Sequence, residues 1–148
     1  MTLLPLKTIC RLATVCLLAA AAITPARAEL VLRQTGTASI YADLFEGRET
    51  ASGRTFRQDA LTAASRSLPL GSRIRVTNPE TGRTVRLAVT DRGPYVGGRI
   101  LDLSRAAADR LGIDPKDGLA TVHVEAHAAD QPTAALKRQL RARTQPSP

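Results

Sequence analysis

Arg73-Ile74-Arg75-Val76-Thr77, Asn78-Pro79-Glu80-Thr81-Gly82 and Arg83-Thr84-Val85-Arg86-Leu87-Ala88-Val89-Thr90 follow one another, and their reading decides the fold. The first part alternates charged and apolar side chains, as a strand with one buried face does. In the second, Pro79 presets φ and Gly82 supplies a positive φ, which makes it a turn. The third returns with Val85, Leu87 and Val89 on one face. Together they predict a β-hairpin. Working outward, Thr37–Tyr41 and Leu119–Glu125 read as further strands. One helix is expected over Arg105–Leu111, with Ser104 as its N-cap and Gly112 closing it in the left-handed conformation. A second short helical turn is expected around Ala60–Ser65. Short strands and one small helix in about 95 residues imply a compact β-barrel or sandwich.

Composition first points elsewhere. The 148 residues carry 21 Lys+Arg against 13 Asp+Glu, a formal charge of +8 that invites a nucleic-acid reading. Only 3% are aromatic, which leaves few platforms for base stacking. The positive charges also lie in the wrong places. Lys7, Arg11 and Arg27 sit in the first 28 residues, and Lys137, Arg138, Arg141 and Arg143 sit in the last 18. Residues 29–130 hold 14 basic and 13 acidic residues, a nearly neutral balance that suits a neutral glycan better than a phosphate backbone. No nucleic-acid partner is expected, and the domain is expected to be a monomer.

The first 28 residues read as a secretory signal. Lys7 and Arg11 precede the apolar run Leu12–Ile23, and Ala26-Arg27-Ala28 supplies a small-x-small cleavage site. The run is short for a membrane span, which needs about 20 residues. Cys16 lies inside the run after Val15, so the signal is not that of a lipoprotein. Cleavage after Ala28 would deliver the chain to the periplasm or outside the cell without Cys10 and Cys16. Zinc-ribbon and disulfide scaffolds are thereby excluded. The expected division is a signal peptide 1–28, a short lead 29–34, a β domain 35–127 and a disordered basic tail 128–148. The tail holds three prolines and no acidic residue over 131–148, and would contact anionic wall or membrane surfaces.

Chemistry concentrates in Val89-Thr90-Asp91-Arg92-Gly93-Pro94-Tyr95. Alternation puts Asp91 in phase with Val85, Leu87 and Val89, so its carboxylate is expected to face inward as the strand ends. Partial burial would suit a general acid, and neighbouring Arg92 would oppose that effect. The plainer alternative is that Asp91 pins a turn through backbone N–H groups. His123, Glu125 and His127 also alternate, but ligands two apart on a strand splay in parallel, so no metal is expected there. Ser104 and Asp102 have a mainly structural reading at the start of the helix. Arg75, Arg83, Arg86 and Arg99 either line a groove or face water.

Seven short motifs occur in order: Gly36-Thr37-Ala38-Ser39-Ile40-Tyr41, Thr50-Ala51-Ser52-Gly53, Ala60-Leu61-Thr62-Ala63-Ala64, Leu68-Pro69-Leu70-Gly71, Arg75-Val76-Thr77-Asn78, Asp91-Arg92-Gly93-Pro94-Tyr95 and Arg99-Ile100-Leu101-Asp102-Leu103-Ser104. Over roughly residues 36–125 their order and spacing resemble the rare lipoprotein A (RlpA) family. The resemblance implies a mainly β fold, a six-stranded double-psi β-barrel with one or two short helices. It also implies a lytic transglycosylase acting on peptidoglycan glycan strands, notably strands stripped of stem peptides, and needing no cofactor. In such a reaction the muramic acid's own C6 hydroxyl attacks C1, leaving a 1,6-anhydro end. Asp91 matches the family's catalytic Asp, and Tyr41, Thr50, Arg54, Ser65, Arg92 and Tyr95 would contact the substrate. Two positions depart from the pattern. Arg54 stands where the family has a catalytic Glu, and Ser65 where it has a His. A guanidinium is always protonated and moves no proton near neutral pH. Glu46 and Glu49, on the same loop, are the candidate replacements. The alternative function is a non-catalytic glycan-binding barrel.

Overall fold

The computed structural model describes residues 29–144, so the expected signal peptide lies outside the described residues. Six strands run in chain order: β1 Leu30–Ile40, β2 Thr62–Ala64, β3 Arg73–Thr77, β4 Thr84–Asp91, β5 Arg99–Leu103 and β6 Leu119–His127. They close into a barrel in the order β1-β5-β2-β4-β3-β6. Closure leaves no unpaired sheet edge. The β1–β5 and β2–β4 pairs are parallel and the other four antiparallel. Val76, Val89, Leu101, Leu103, Val122 and Val124 fill the interior and are almost wholly buried.

The predicted hairpin is β3 and β4, paired from Arg73↔Ala88 to Thr77↔Thr84. Its turn is tied to the helix α1, Arg105–Leu111. Asn78 Nδ2 and Thr81 Oγ1 both donate to the Leu111 carbonyl, at 3.1 and 2.7 Å, satisfying an acceptor that a helix end leaves open. Ser104 caps α1 by accepting from the Ala107 amide, and Gly112 closes it at φ 69°.

Three segments differ from expectation. Residues 60–65 hold a strand, β2, where a helical turn was expected. Its three residues pair with β4 on one side and β5 on the other, and that pairing overrides the helix propensity of alanine. Of the expected lead 29–34, residues 30–34 already belong to β1, whose Val31 and Leu32 are buried and whose pairing with β6 reaches Leu30↔His127. The expected disordered tail is ordered as far as Thr144: Ala134–Thr144 form a second helix, α2. Leu140 on α2 is fully buried in the main core. Leu136, one turn earlier, lies 3.6 Å from where a Cβ on Gly71 would sit. Two leucines four apart share a helix face, and that suffices to seat an otherwise polar helix. Ahead of it Gln131 mimics a strand partner, accepting from the Arg73 amide at 3.0 Å and donating to the Arg73 carbonyl at 2.7 Å.

Three register shifts interrupt the ladders, one at the start of β1 against β6 and two that shape the functional face. Between β2 and β4, Ala63 faces Val89 but Ala64 faces Asp91, so Thr90 is an extra residue. Between β1 and β5, Thr37 faces Arg99 but Ala38 faces Leu101, so Ile100 is extra. Each extra residue reverses the phase of the strand beyond it. Gly36 makes room for the second: a Cβ there would meet Ile100 Cγ2 at 2.7 Å. Because that methyl sits on a branched Cβ, it cannot swing aside cheaply. Gly36→Ala is therefore expected to cost about 1–3 kcal/mol in chemical denaturation.

Candidate functional site

The shift at Thr90 overturns the inward reading of Asp91. Val89 and Thr90 are both buried, and Asp91 emerges half-buried on the opposite face. The shift at Ile100 similarly brings Arg99 and Asp102 to one face of β5. Strand register then aligns them. Asp91 pairs with Ala64, Ala64 with Asp102, and Asp102 with Ser39, one row across β4, β2, β5 and β1. Two aspartates thus flank a single alanine, about 10 Å apart at the backbone from two strand spacings. Ala64 between them is fully buried, packed with Tyr41 and Phe56. Above this row lies a cleft of about 360 Å³, walled by Tyr41, Phe45, Asp91, Tyr95, Arg99 and Asp102 among others.

The two carboxylates stand in different surroundings. Asp91 accepts three hydrogen bonds: Tyr41 Oη donates to Oδ2 at 2.6 Å, and the Ala51 and Arg92 amides donate to Oδ1 at 2.9 and 2.8 Å. Tyr41 is buried against Phe56, with ring centroids 4.5 Å apart, and meets Phe45 edge-on at 5.3 Å. Burial, reinforced by its hydrogen bond to Asp91, pushes the Tyr41 phenol well above its usual range. It therefore remains a donor at any physiological pH. Asp102 accepts a hydrogen bond from Ser39 Oγ, and Ser39 Oγ in turn accepts from Arg99 Nη1 at 3.1 Å. Burial raises the Asp102 carboxyl above the ordinary aspartate value. The Ser39 hydrogen bond and the Arg99 charge oppose that rise, while the Asp91 charge adds to it. A carboxyl of this kind holds its proton to higher pH than a solvated one.

Of the residues expected from sequence, Asp91, Tyr41, Arg92 and Tyr95 adjoin the cleft. Tyr95 is 78% exposed, with Val96 beside it, and presents a free ring at the rim. Arg92 faces away in function: Nη1 donates to the carbonyls of Ser65 and Leu68, at 2.8 and 2.6 Å, clamping that loop. Ser65 is fully buried and accepts from the Leu68 amide, so its hydroxyl does not reach a ligand in the cleft. Thr50 is also buried and donates to the Arg54 carbonyl at 2.8 Å, bracing the turn that supplies the Ala51 amide. Arg54 lines a separate shallow depression with Phe56 and Thr90. Neither candidate replacement for the missing Glu lines the cleft. Glu46 Oε2 accepts from the Gln58 amide at 2.6 Å, and Glu49 is exposed on a bridge to Thr55.

Sequence reasoning missed Asp102 and Phe45 as cleft residues, and Ser39 as the partner of Asp102. Asp102 read as a companion of the helix cap, and no local signal marks the bulge that aims it. Of the four arginines weighed for a groove, Arg99 reaches the cleft, whereas Arg75 faces Asp130 at 3.8 Å. His123 pairs with Thr35, and Glu125 is bound by Arg33 and His127, as befits an outer polar face. The Arg33 hydrogen bond holds the Glu125 carboxyl below its usual value.

A closed six-stranded mixed barrel of this connectivity, with two aspartates brought to one cleft by two of its bulges, is a double-psi β-barrel. The family profile described as lytic transglycolase matches residues 33–124. The chain belongs to that family. An endolytic peptidoglycan transglycosylase RlpA of Neisseria meningitidis serogroup A is 44% identical over 102 residues, spanning 69% of this chain and 42% of that protein. One from Yersinia pestis is 54% identical over 80 residues, spanning 54% of this chain and 22% of that protein. The chain thus spans less than half the length of these relatives. Among solved structures, a Streptomyces papain inhibitor shares the fold, with a TM-score of 0.52 at 23% identity over 65% of this chain and 94% of that one.

Proposed function

We propose that this domain is an RlpA-like lytic transglycosylase that cleaves the glycan strands of peptidoglycan, in the periplasm or outside the cell. The observation that carries the reading is the pair of carboxylates in one open cleft, one held by three donors and the other buried beside a hydroxyl. Two carboxyls in different surroundings allow one site to perform acid and base steps together. Asp102 gives its proton to the glycosidic oxygen as the C1–O bond breaks. The C6 hydroxyl of the same muramic acid forms the new bond to C1, and its proton passes to Asp91. The product is a 1,6-anhydro end, no water is consumed, and solvent returns the two carboxyls to their starting states. Asp91 thus keeps a catalytic role, as the base, while Asp102 supplies the acid. Tyr41 orients Asp91, and the exposed Tyr95 ring offers a flat apolar face to a sugar.

A second reading, a barrel that binds glycan without cutting it, draws support from Arg54 and Ser65. The side chains at both departures lie away from the cleft. The two readings separate on incubation with purified sacculi or peptide-free strands, followed by mass spectrometry for 1,6-anhydromuramic ends. The enzyme reading expects such ends from wild type and a loss of about 10²–10⁴-fold in Asp91→Asn. Strand binding without product, at high protein concentration, would establish the binding module instead.

A further inference from the structure

The two oxygens of Asp102 have different neighbours. Oδ1 accepts from Ser39 Oγ. Oδ2 lies by Gly93, where a Cβ would sit 3.7 Å from that oxygen and 3.8 Å from the Tyr95 ring, so Oδ2 opens on the cleft. An acid must carry its proton on the oxygen that a sugar reaches. A proton on Oδ1 would point at Ser39 and serve no leaving group.

The donor inventory behind Oδ1 favours the other oxygen. A guanidinium has N–H donors and no acceptor, so at its 3.1 Å contact with Arg99 Nη1 the Ser39 oxygen accepts. The hydroxyl still has one proton to give, and Ser39 is only 3% exposed. Among the described residues, the acceptor this proton meets is Asp102 Oδ1. Turned elsewhere it would go unsatisfied, which burial penalises. Strand register builds this chain of groups. Thr37 of β1 faces Arg99 and Ser39 faces Asp102, and the extra residue Ile100 brings both β5 side chains to one face. Among the described residues Arg99 makes no ion pair within 4.0 Å, so Ser39 is its link to the carboxyl.

Resting on the assignment of Asp102 as the acid above, we propose that Ser39 and Arg99 are positioning residues that fix the transferable proton on Asp102 Oδ2, the oxygen facing the cleft. Arg99 locks the Ser39 hydroxyl as a donor. Ser39 then keeps Oδ1 as the carbonyl oxygen of the protonated carboxyl, which leaves the proton on Oδ2. As the C1–O bond breaks, the Oδ2–H bond breaks with it and the proton passes to the glycosidic oxygen. The carboxylate that remains keeps its Ser39 hydrogen bond and the nearby Arg99 charge, both of which favour the ionised form. The other groups facing it are Asp91 on β4, whose charge favours the protonated form, and the phenols of Tyr41 and Tyr95. From β2 its register partner is Ala64, which has no charge, and Arg92 is turned to the Ser65 and Leu68 carbonyls.

The test is infrared titration of the full-length chain, following the carbonyl band of protonated Asp102, identified by its absence from Asp102→Asn. Ser39→Ala should move that band to higher wavenumber, because the carbonyl oxygen loses its donor. It should also move the titration to higher pH, because the same donor favours the ionised form. Arg99→Gln keeps N–H groups but loses the charge, and its titration should likewise move upward. Arg99→Lys keeps the charge and a donor, and should titrate as wild type does. A residue that merely supports the fold would lower the thermal midpoint and leave the band and its titration in place. An unmoved band in Ser39→Ala, or an Arg99→Lys titration displaced as far as that of Arg99→Gln, would overturn the proposal. On peptide-free strands, Ser39→Ala should lose about tenfold in kcat with KM within about twofold of wild type. An unchanged kcat would equally overturn it. The infrared readout needs no product, so a barrel that binds glycan without cutting it still reveals where the proton sits, and the two ideas fail separately.

Discussion

Asp102→Asn should abolish most turnover, by about 10²–10⁴-fold, while making the protein more stable at neutral pH. The loss follows from removing the proton donor. An aryl glycoside or other substrate whose leaving group needs no proton should recover activity in this variant but not in Asp91→Asn. The gain in stability follows from the raised carboxyl. Burial lifts its pKa in the folded state above the ordinary value of 3.8, so the folded protein binds that proton more tightly than the unfolded chain does. Below 3.8 the group is protonated in both states, and wild type and Asn should match. As pH rises through the folded-state value, wild type must hold an ionised carboxylate in a part-buried site, and its stability falls relative to Asn. Urea denaturation at acid and neutral pH would show the difference opening upward. A difference that opened downward would contradict the burial argument. The same ionisation sets the alkaline limb of wild-type activity, which should vanish from whatever turnover Asp102→Asn retains.

Leu140→Ala should destabilise the domain by about 2–5 kcal/mol, the range for removing a buried leucine side chain. Leu140 is wholly buried although it stands in a segment of Lys and Arg, and it is the residue of α2 that enters the main core. Arg138→Ala, on the exposed side of the same helix, should stay within about 0.5 kcal/mol. Chemical denaturation of both variants distinguishes a docked helix from a solvated tail, for which the two substitutions would cost the same. Because Arg143 of α2 holds the Ser67 carbonyl, undocking the helix should also loosen the loop that carries Ser67.

These expectations show which parts of the molecule local pattern can reach. The hairpin β3–β4 was legible because alternation, a Pro-Gly turn and a returning alternation lie within 20 residues of one another. Ser104 and Gly112 were legible because a helix cap involves neighbours in sequence. Asp91 and Tyr41 were found through the family resemblance and do share a hydrogen bond. The side chains of Thr50, Ser65 and Arg92, expected to contact substrate, are bonded to backbone partners in the loops around the cleft. Polar residues beside a site either touch the ligand or hold the loops that shape it, and sequence position does not distinguish the two.

By itself the sequence determined a β domain of nearly neutral charge between two basic ends, with its hairpin, its capped helix and Asp91 at a strand's end. Only the tertiary structure decided which way Asp91 points, that Asp102 shares its cleft, that residues 62–64 close the barrel as a strand, and that the basic tail docks. The reason is common to all four. A period-two reading assumes an unbroken ladder, and the extra residues Thr90 and Ile100 are extra only relative to strands far away in sequence. Likewise, two alanines become a strand and one leucine anchors a helix only when the partners that bury them are already in place.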